Sequence, residues 1–403
     1  MSEITPTIVA RARGMRDLLP SQMRAFRRVE DAFRAAAQRW GYEEIRTPTV
    51  ESYSLFTAAG ALPPQMLSRV YTFLDWDGWS GERVVLRPDS TIPVARAVAT
   101  AGLTLPARLF YVQSVFRFSK DETEGEAWQC GIEYLGAPAA IGDLEVAAVA
   151  CETLDTLGIA AEVRISHVGL ARAALDAAGI TDLQERQDLF DRYTQEGLAA
   201  LRPALVDKPG ALAFVDAALQ AAGSPMLLQN LAAIAKSGLP AALPALTELR
   251  DVATALADTG RDVVIDLALP RDFEYYTGVV FEFVTGEHEW GGGGRYAPNG
   301  PGSAETACGL GLHATLLAGH VEATTRKDLT VAVIPGSEAD FSRALGAARA
   351  LHRNGISAAL ASRPDERGIG VTVRETGLTA HTPDGERAMD SLDDVVGLLL
   401  QYK

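Results

Sequence analysis

Two long runs of strand-forming residues, Ala107 to Phe118 and Trp128 to Gly136, are joined by the short loop Ser119 to Ala127. A connection that short turns the chain back antiparallel to itself, because parallel neighbours need a crossover of a dozen or more residues. The two runs therefore read as an antiparallel hairpin. Within the second run Gln129 and Glu133 stand four apart, an even spacing that puts both on one face. Two polar side chains on one face of an otherwise apolar strand are either the solvent side of the sheet or the lining of a pocket.

A second stretch bears on that choice. Ala268 to Gly278 contains Arg271, Tyr275, Tyr276 and a Thr277–Gly278 turn, directly ahead of the β-branched and aromatic run Val279 to Phe283. An arginine there can hold a carboxylate through two parallel hydrogen bonds, and a phenol can serve a small polar ring as donor or acceptor. Taken alone, the stretch reads first as an ordinary strand with surface arginine and half-buried tyrosines, and partners elsewhere must decide for a ligand site. Further upstream, Tyr71–Asp75 and Arg83–Pro88 read as a hairpin around Asp77–Gly78, followed by a helix that opens at Asp89–Ser90–Thr91. A carboxylate at a helix start is a cap, a ligand, or both.

The remaining segments fill in the architecture. A helical period runs from Ser21 through Phe26, Val29 and Phe33 to a stop near Gly41. Ile45–Glu51 reads as a strand broken by Pro48, suited to an edge or an interface. Asp143–Leu157 is an amphipathic helix and Ala161–Ser166 a strand, with His167 at its end as a turn or capping residue. Residues 180–259 are alanine-rich and read as wholly helical, an inserted subdomain, before Val263–Leu267 resumes the sheet. Gly291–Gly294 lack the lysine and Ser/Thr of a phosphate loop and the dinucleotide spacing, so they let backbone pass close to a neighbour or a ligand. His313 falls on an apolar helix, as a structural residue. Arg326–Lys327–Asp328 marks a boundary, after which strands and helices alternate in a small α/β unit.

The formal net charge of −15 argues against nucleic acid, whose phosphates call for a basic surface. No apolar run approaches membrane-spanning length, and the first twenty residues show no signal peptide. Three dispersed cysteines, Cys130, Cys151 and Cys308, form neither a disulfide framework nor a metal cluster, which suits a reducing cytoplasm. No metal and no cofactor is expected.

Asp89, Thr91, Arg117, Gln129, Glu133, Arg271, Tyr275 and Tyr276 together complement an amino acid with a polar ring. At these residues the chain resembles histidyl-tRNA synthetase, a class II synthetase. The resemblance runs from Gly14 to Leu317 through Arg46–Glu51, Leu86–Thr91, Val115–Arg117, Gln129–Glu133, Arg271–Gly278 and Gly293–Tyr296. It implies an α+β fold, an antiparallel sheet flanked by helices over residues 1–325 with the 180–259 helical insertion, then a shortened anticodon-binding-like domain over 328–403. It also implies that Asp89, Thr91 and Gln129 hold a histidine ammonium and that Arg117 and Arg271 lie by its carboxylate. Glu133 and Tyr276, with Tyr275 alongside, would surround the imidazole.

Two departures matter. Where the third class II motif places an arginine on ATP, Gly309 to Ala314 carries alanine, which supplies neither charge nor a flat face. The loop expected to bring basic residues to the triphosphate and the acceptor stem instead holds Asp121, Glu122, Glu124 and Glu126. Losses on the nucleotide side with the amino-acid side intact resemble the paralogue family that serves as the regulatory subunit of ATP phosphoribosyltransferase. That resemblance implies a non-catalytic, cytoplasmic protein that self-associates as a dimer. It would assemble with the catalytic subunit of that transferase, bind L-histidine and leave tRNA alone.

Overall fold

The computed structural model describes residues 11–402 except 58–63, 76–80, 119–124, 183, 184, 186, 187, 190, 191, 194, 195, 224, 225, 270–274, 299–304, 323–329 and 365–367. The chain divides into two compact units, Met1–Ala323 and Thr324–Lys403. The boundary expected at Arg326–Asp328 lies outside the described residues, as does most of the acidic loop.

Among the described residues of the first unit twelve strands form two sheets. They are β1 (Glu43–Glu44), β2 (Val50–Ser52), β3 (Thr72–Leu74), β4 (Arg83–Leu86), β5 (Ala107–Phe116), β6 (Glu126–Leu135) and β7 (Glu162–His167). After these come β8 (Ala222–Gly223), β9 (Val263–Asp266), β10 (Tyr276–Thr285), β11 (His288–Tyr296) and β12 (Ala307–His313). The nine-stranded sheet has the order β1-β5-β6-β12-β11-β10-β7-β9-β8, antiparallel except at β1·β5 and β7·β9. The antiparallel hairpin expected at 107–136 is its β5·β6 pair, in unbroken register from Ala107↔Leu135 to Phe116↔Glu126.

One face of this sheet is covered by helices whose apolar stripes match the helical period. Helix Pro20–Arg39 buries Phe26, Val29, Phe33 and Ala36, and Phe33 meets Phe110 of β5 edge to face at 6.1 Å. A phenylalanine buried this completely stabilises by about 1.5–3 kcal/mol. Helix Ala139–Leu157 lays Val146, Ala150 and Leu154 against the same layer. β2, β4 and β3 form a separate three-stranded sheet with β2 on its edge.

Two expectations need correction. The stretch 45–51 is strand only from Val50 onward; Ile45 instead donates its amide to the carbonyl of Phe110 at 2.9 Å, prolonging the short edge pairing of β1. The 180–259 segment is not wholly helical, because Ala222–Gly223 pairs antiparallel with Asp266 and Ile265 and so closes the main sheet. Its helices, Pro209–Leu219, Leu227–Gly238 and Leu243–Asp258, share one core with the sheet. Alanine-rich helices with a small cross-section pack closely enough to merge with that core.

The described residues of the second unit form five strands, β13 (Thr330–Pro335), β14 (Ser357–Leu360), β15 (Gly370–Arg374), β16 (Gly377–Thr382) and β17 (Gly385–Met389), in the order β14-β13-β15-β16-β17. Helices Phe341–Arg353 and Leu392–Leu399 pack on it over Val331, Val371, Leu351 and Val395. β14 and β17 escape sequence reading because they are short and mostly exposed. No described helix is long and apolar enough to cross a membrane.

Candidate functional site

The face of the main sheet away from the covering helices holds a pocket of about 190 Å³, smaller than the roughly 300–1,000 Å³ of drug-sized sites and suited to a metabolite. Strand register builds it. Glu133 on β6 lies opposite Gly309 of β12, Gly131 opposite Gly311, and Gln129 opposite His313. On the other side of β6, Gly131 faces Tyr111 of β5. Every second residue points to the same face, so β6 presents Gln129, Gly131 and Glu133, while β12 presents Gly309, Gly311 and His313. Glycine at three of these six places opens the cavity. A Cβ on Gly131 would stand 2.2 Å from the Tyr111 ring, and one on Gly309 would stand 2.0 Å from Glu133 Oε2.

Glu133 is fully buried. Its Oε2 accepts from the Tyr296 hydroxyl at 2.7 Å and its Oε1 from the Tyr111 hydroxyl at 3.4 Å. Burial pushes its carboxyl up to about 8, although hydrogen bonds from Tyr296, Thr91 and Tyr111 oppose the shift. The same burial holds the phenols of Tyr111, Tyr275 and Tyr296 well above their ordinary values, so these rings act as neutral donors. Tyr275 stacks on Tyr296 with centroids 5.2 Å apart and meets Tyr276 edge to face at 5.1 Å, giving the pocket an aromatic wall.

Seven of the eight residues named from sequence, Asp89, Thr91, Arg117, Gln129, Glu133, Tyr275 and Tyr276, line this pocket; Arg271 lies outside the described residues. Asp89 combines both roles open to it. Its Oδ1 accepts the Ile92 amide at 3.1 Å at the start of helix Thr91–Ala101, while Oδ2 lies 3.9 Å from Nη2 of Arg117. Arg117 is held by its own Nε, which donates to the Pro88 carbonyl at 2.5 Å. The buried Arg87 fixes this corner by donating to the carbonyls of Ser114, Thr47 and Pro48 at 2.7, 2.8 and 3.0 Å. The set offers acceptors for a cationic amine, a guanidinium for a carboxylate, and phenols for a ring.

Sequence reasoning did not assign Tyr111, Tyr296, Glu289, Met66 and His313 to the pocket, yet all five line it. His313 is the clearest correction. It is the last residue of β12 and not a helical residue, because the helix begins at Ala314. The two-residue step from Gly309 through Gly311 was the available signal. Ala314 itself is fully buried. Among the described residues no group of three or more His, Cys, Asp or Glu side chains could hold a metal.

Arg295 points the other way from its neighbour Tyr296, into a buried polar cluster. It pairs with Asp143 through Nη2 and Nε, and its Nη1 donates to Glu248 Oε1 at 2.7 Å. Glu248 Oε2 accepts from His167 Nε2 at 2.9 Å, and the Gly169 amide donates to His167 Nδ1 at 2.9 Å. The capping role expected of His167 is therefore the one it has. These partners, His167 first, hold the Glu248 carboxyl down at about 2.

Residues 14–317 match the family described as Histidyl-tRNA synthetase. An ATP phosphoribosyltransferase regulatory subunit from Dehalococcoides mccartyi is 40% identical over 332 residues, covering 80% of each chain. A histidine–tRNA ligase from Archaeoglobus fulgidus is 28% identical over 362 residues, covering 87% of this chain and 85% of that one. Among solved structures, an ATP phosphoribosyltransferase regulatory subunit/histidyl-tRNA synthetase from Bacillus halodurans C matches with a TM-score of 0.74 at 25% identity. It covers 88% of this chain and 93% of its own. Histidyl-tRNA synthetase from Nostoc sp. PCC 7120 shares the fold at a TM-score of 0.73 and 20% identity, over 98% and 99% of the two chains. The chain thus belongs to the histidyl-tRNA synthetase family, in its branch of ATP phosphoribosyltransferase regulatory subunits.

Proposed function

We propose that this protein binds L-histidine in the pocket around Glu133 and regulates, without catalysing, the phosphoribosyl transfer carried out by a short catalytic partner. In this reading it activates that partner and makes it sensitive to histidine in the first step of histidine biosynthesis. It works in the cytoplasm, as a dimer of its own chain within the hetero-oligomer, and takes no tRNA.

One observation carries the ligand assignment: a fully buried carboxyl, held by two tyrosine hydroxyls, at the floor of a metabolite-sized pocket whose mouth offers Asp89 and Arg117. An amino acid with a basic ring uses all of these groups at once, with the ring on Glu133 and the Tyr276 wall, the ammonium on Asp89, Thr91 and Gln129, and the carboxylate on Arg117 and Arg271. The non-catalytic assignment is supported by Ala314, which offers ATP no charge, and by the name of the Dehalococcoides relative. The alternative, ligation of histidine to tRNA, is favoured by the name of the Archaeoglobus relative.

Two assays separate the readings. Histidine-dependent exchange between ATP and pyrophosphate is expected to be absent, and exchange at ordinary synthetase rates would establish the ligase instead. A pull-down from the source cell is expected to recover the catalytic transferase subunit, with the recovered complex inhibited by L-histidine. A recovered complex indifferent to L-histidine would remove the feedback role.

A further inference from the structure

The cluster behind the pocket ties the pocket walls to the helical segment 180–259 by separate routes that meet at one side chain. On the first route, the Tyr276 carbonyl accepts from Arg172 Nη2 at 2.8 Å. Arg172 belongs to helix Val168–Ala178, capped by His167, and His167 is held by Glu248 at 2.9 Å. On the second, Tyr296 carries Glu133, and the next residue back along β11, Arg295, donates to Glu248 at 2.7 Å. The Arg295 guanidinium also packs on the backbone two residues beyond Tyr276, where a Cβ on Gly278 would lie 2.8 Å from its central carbon. Glu248 comes from helix Leu243–Asp258, the last helix of the segment. The segment meets the main sheet again at the turn after β9, where Gly197, at φ +60°, packs so tightly that a Cβ would sit 2.4 Å from the Ala268 carbonyl oxygen.

We infer that Glu248 is a positioning residue of the pocket, and that through it helix Leu243–Asp258 responds to what the pocket holds. A ligand that draws Tyr276 and Tyr296 inward pulls on Arg172 and Arg295, and both pulls arrive at the two oxygens of one carboxylate. Packed charged clusters of this kind have discrete arrangements and do not deform continuously, so a small shift at the pocket is passed on as a change in seating of the helix. By linkage, the seating of the helix biases the pocket by the same free energy. The identity of the ligand rests on the histidine assignment above; the coupling rests on the contacts alone.

The test compares the full chain with Glu248→Gln, which keeps the shape and loses the charge, and with Glu248→Asp, which keeps the charge. Leu256→Ala, a buried change about two turns farther along the same helix, controls for simple destabilisation. Without ligand, Glu248→Gln is expected to speed amide hydrogen exchange at 168–178 and around Tyr276 and Tyr296 as well as at 243–258. With L-histidine added, the wild type is expected to gain protection at 243–258. Glu248→Gln is expected to lose that protection and about tenfold in affinity, and Glu248→Asp to recover most of both. Leu256→Ala should melt earlier yet bind L-histidine as the wild type does. Faster exchange confined to 243–258 in the ligand-free Glu248→Gln protein would overturn the coupling, and so would unchanged protection by L-histidine. If L-histidine gives no heat with the wild type, the ligand assignment fails, and the ligand-free exchange comparison still decides the coupling.

Discussion

Glu133 concentrates the chemistry of the pocket in one carboxyl. Burial lets it keep its proton up to about 8, whereas its ordinary value is 4.5. Between those values the folded chain binds more protons than the unfolded chain, so unfolding free energy falls as pH rises across that window. Glu133→Gln has no proton to hold, and its stability is expected to decline less between about pH 5 and pH 8, by at most a few kcal/mol. Denaturant midpoints at the two pH values measure this; parallel behaviour of the two proteins would show that Glu133 is ionised in the fold. A cationic ligand reverses the balance and draws the proton off. Titration of L-histidine near neutral pH should therefore give heats that depend on the buffer's ionisation enthalpy. Loss of this charged partner in Glu133→Gln should weaken binding by about 10- to 150-fold, the size of a charge-assisted hydrogen bond.

Strands set where such residues can act. Gly309 and Gly311 share a face of β12, but their surroundings differ: a Cβ on Gly309 meets Glu133 Oε2 at 2.0 Å, whereas one on Gly311 finds only Gln129 at 3.7 Å. Gly309→Ala is expected to cost about 1–3 kcal/mol of stability and to displace the Glu133 carboxyl, so that melting temperature and L-histidine affinity fall together. Gly311→Ala should melt as the wild type does, within about 0.5 kcal/mol. Its methyl still narrows the pocket, and affinity alone should drop. Equal melting of the two variants would mean that the sheet opens to relieve the first contact. The same strand explains a legible and an illegible feature. The glycine run at 291–294 was readable as a place of close backbone approach, and Gly291 and Gly293 do face carbonyl oxygens of β12. The place of His313 was not: the step from Gly309 through Gly311 fits a strand that reaches it, but an apolar run that ends a strand and starts a helix has no periodicity that marks the junction.

Across the whole chain, the two compact units each have their own buried core, around Phe110 and Ile132 in one and Val333 and Leu351 in the other. A chain ending at residue 323 is therefore expected to unfold cooperatively and to bind L-histidine with the affinity of the full chain, measured by calorimetry. A large loss of affinity on truncation would give the second unit a part in the pocket. The role of that unit in assembly with the transferase is read from the same truncated chain in the pull-down. Residues 180–259, in contrast, share the core and the polar cluster of the sheet, so removing them should abolish folding rather than trim a module.

The sequence by itself determined the antiparallel hairpin, the helical stripes, seven described residues of the pocket and the family, because period-two and period-3.6 patterns and short motifs are local properties of the chain. Only the tertiary structure decided that Tyr111 and Tyr296 flank Glu133, that His313 faces the pocket and that Arg295 turns away from it to meet Glu248. Each of those facts depends on strand register and on contacts between residues far apart in the chain. Register is fixed by which face of the whole sheet is buried, and no single segment carries that information.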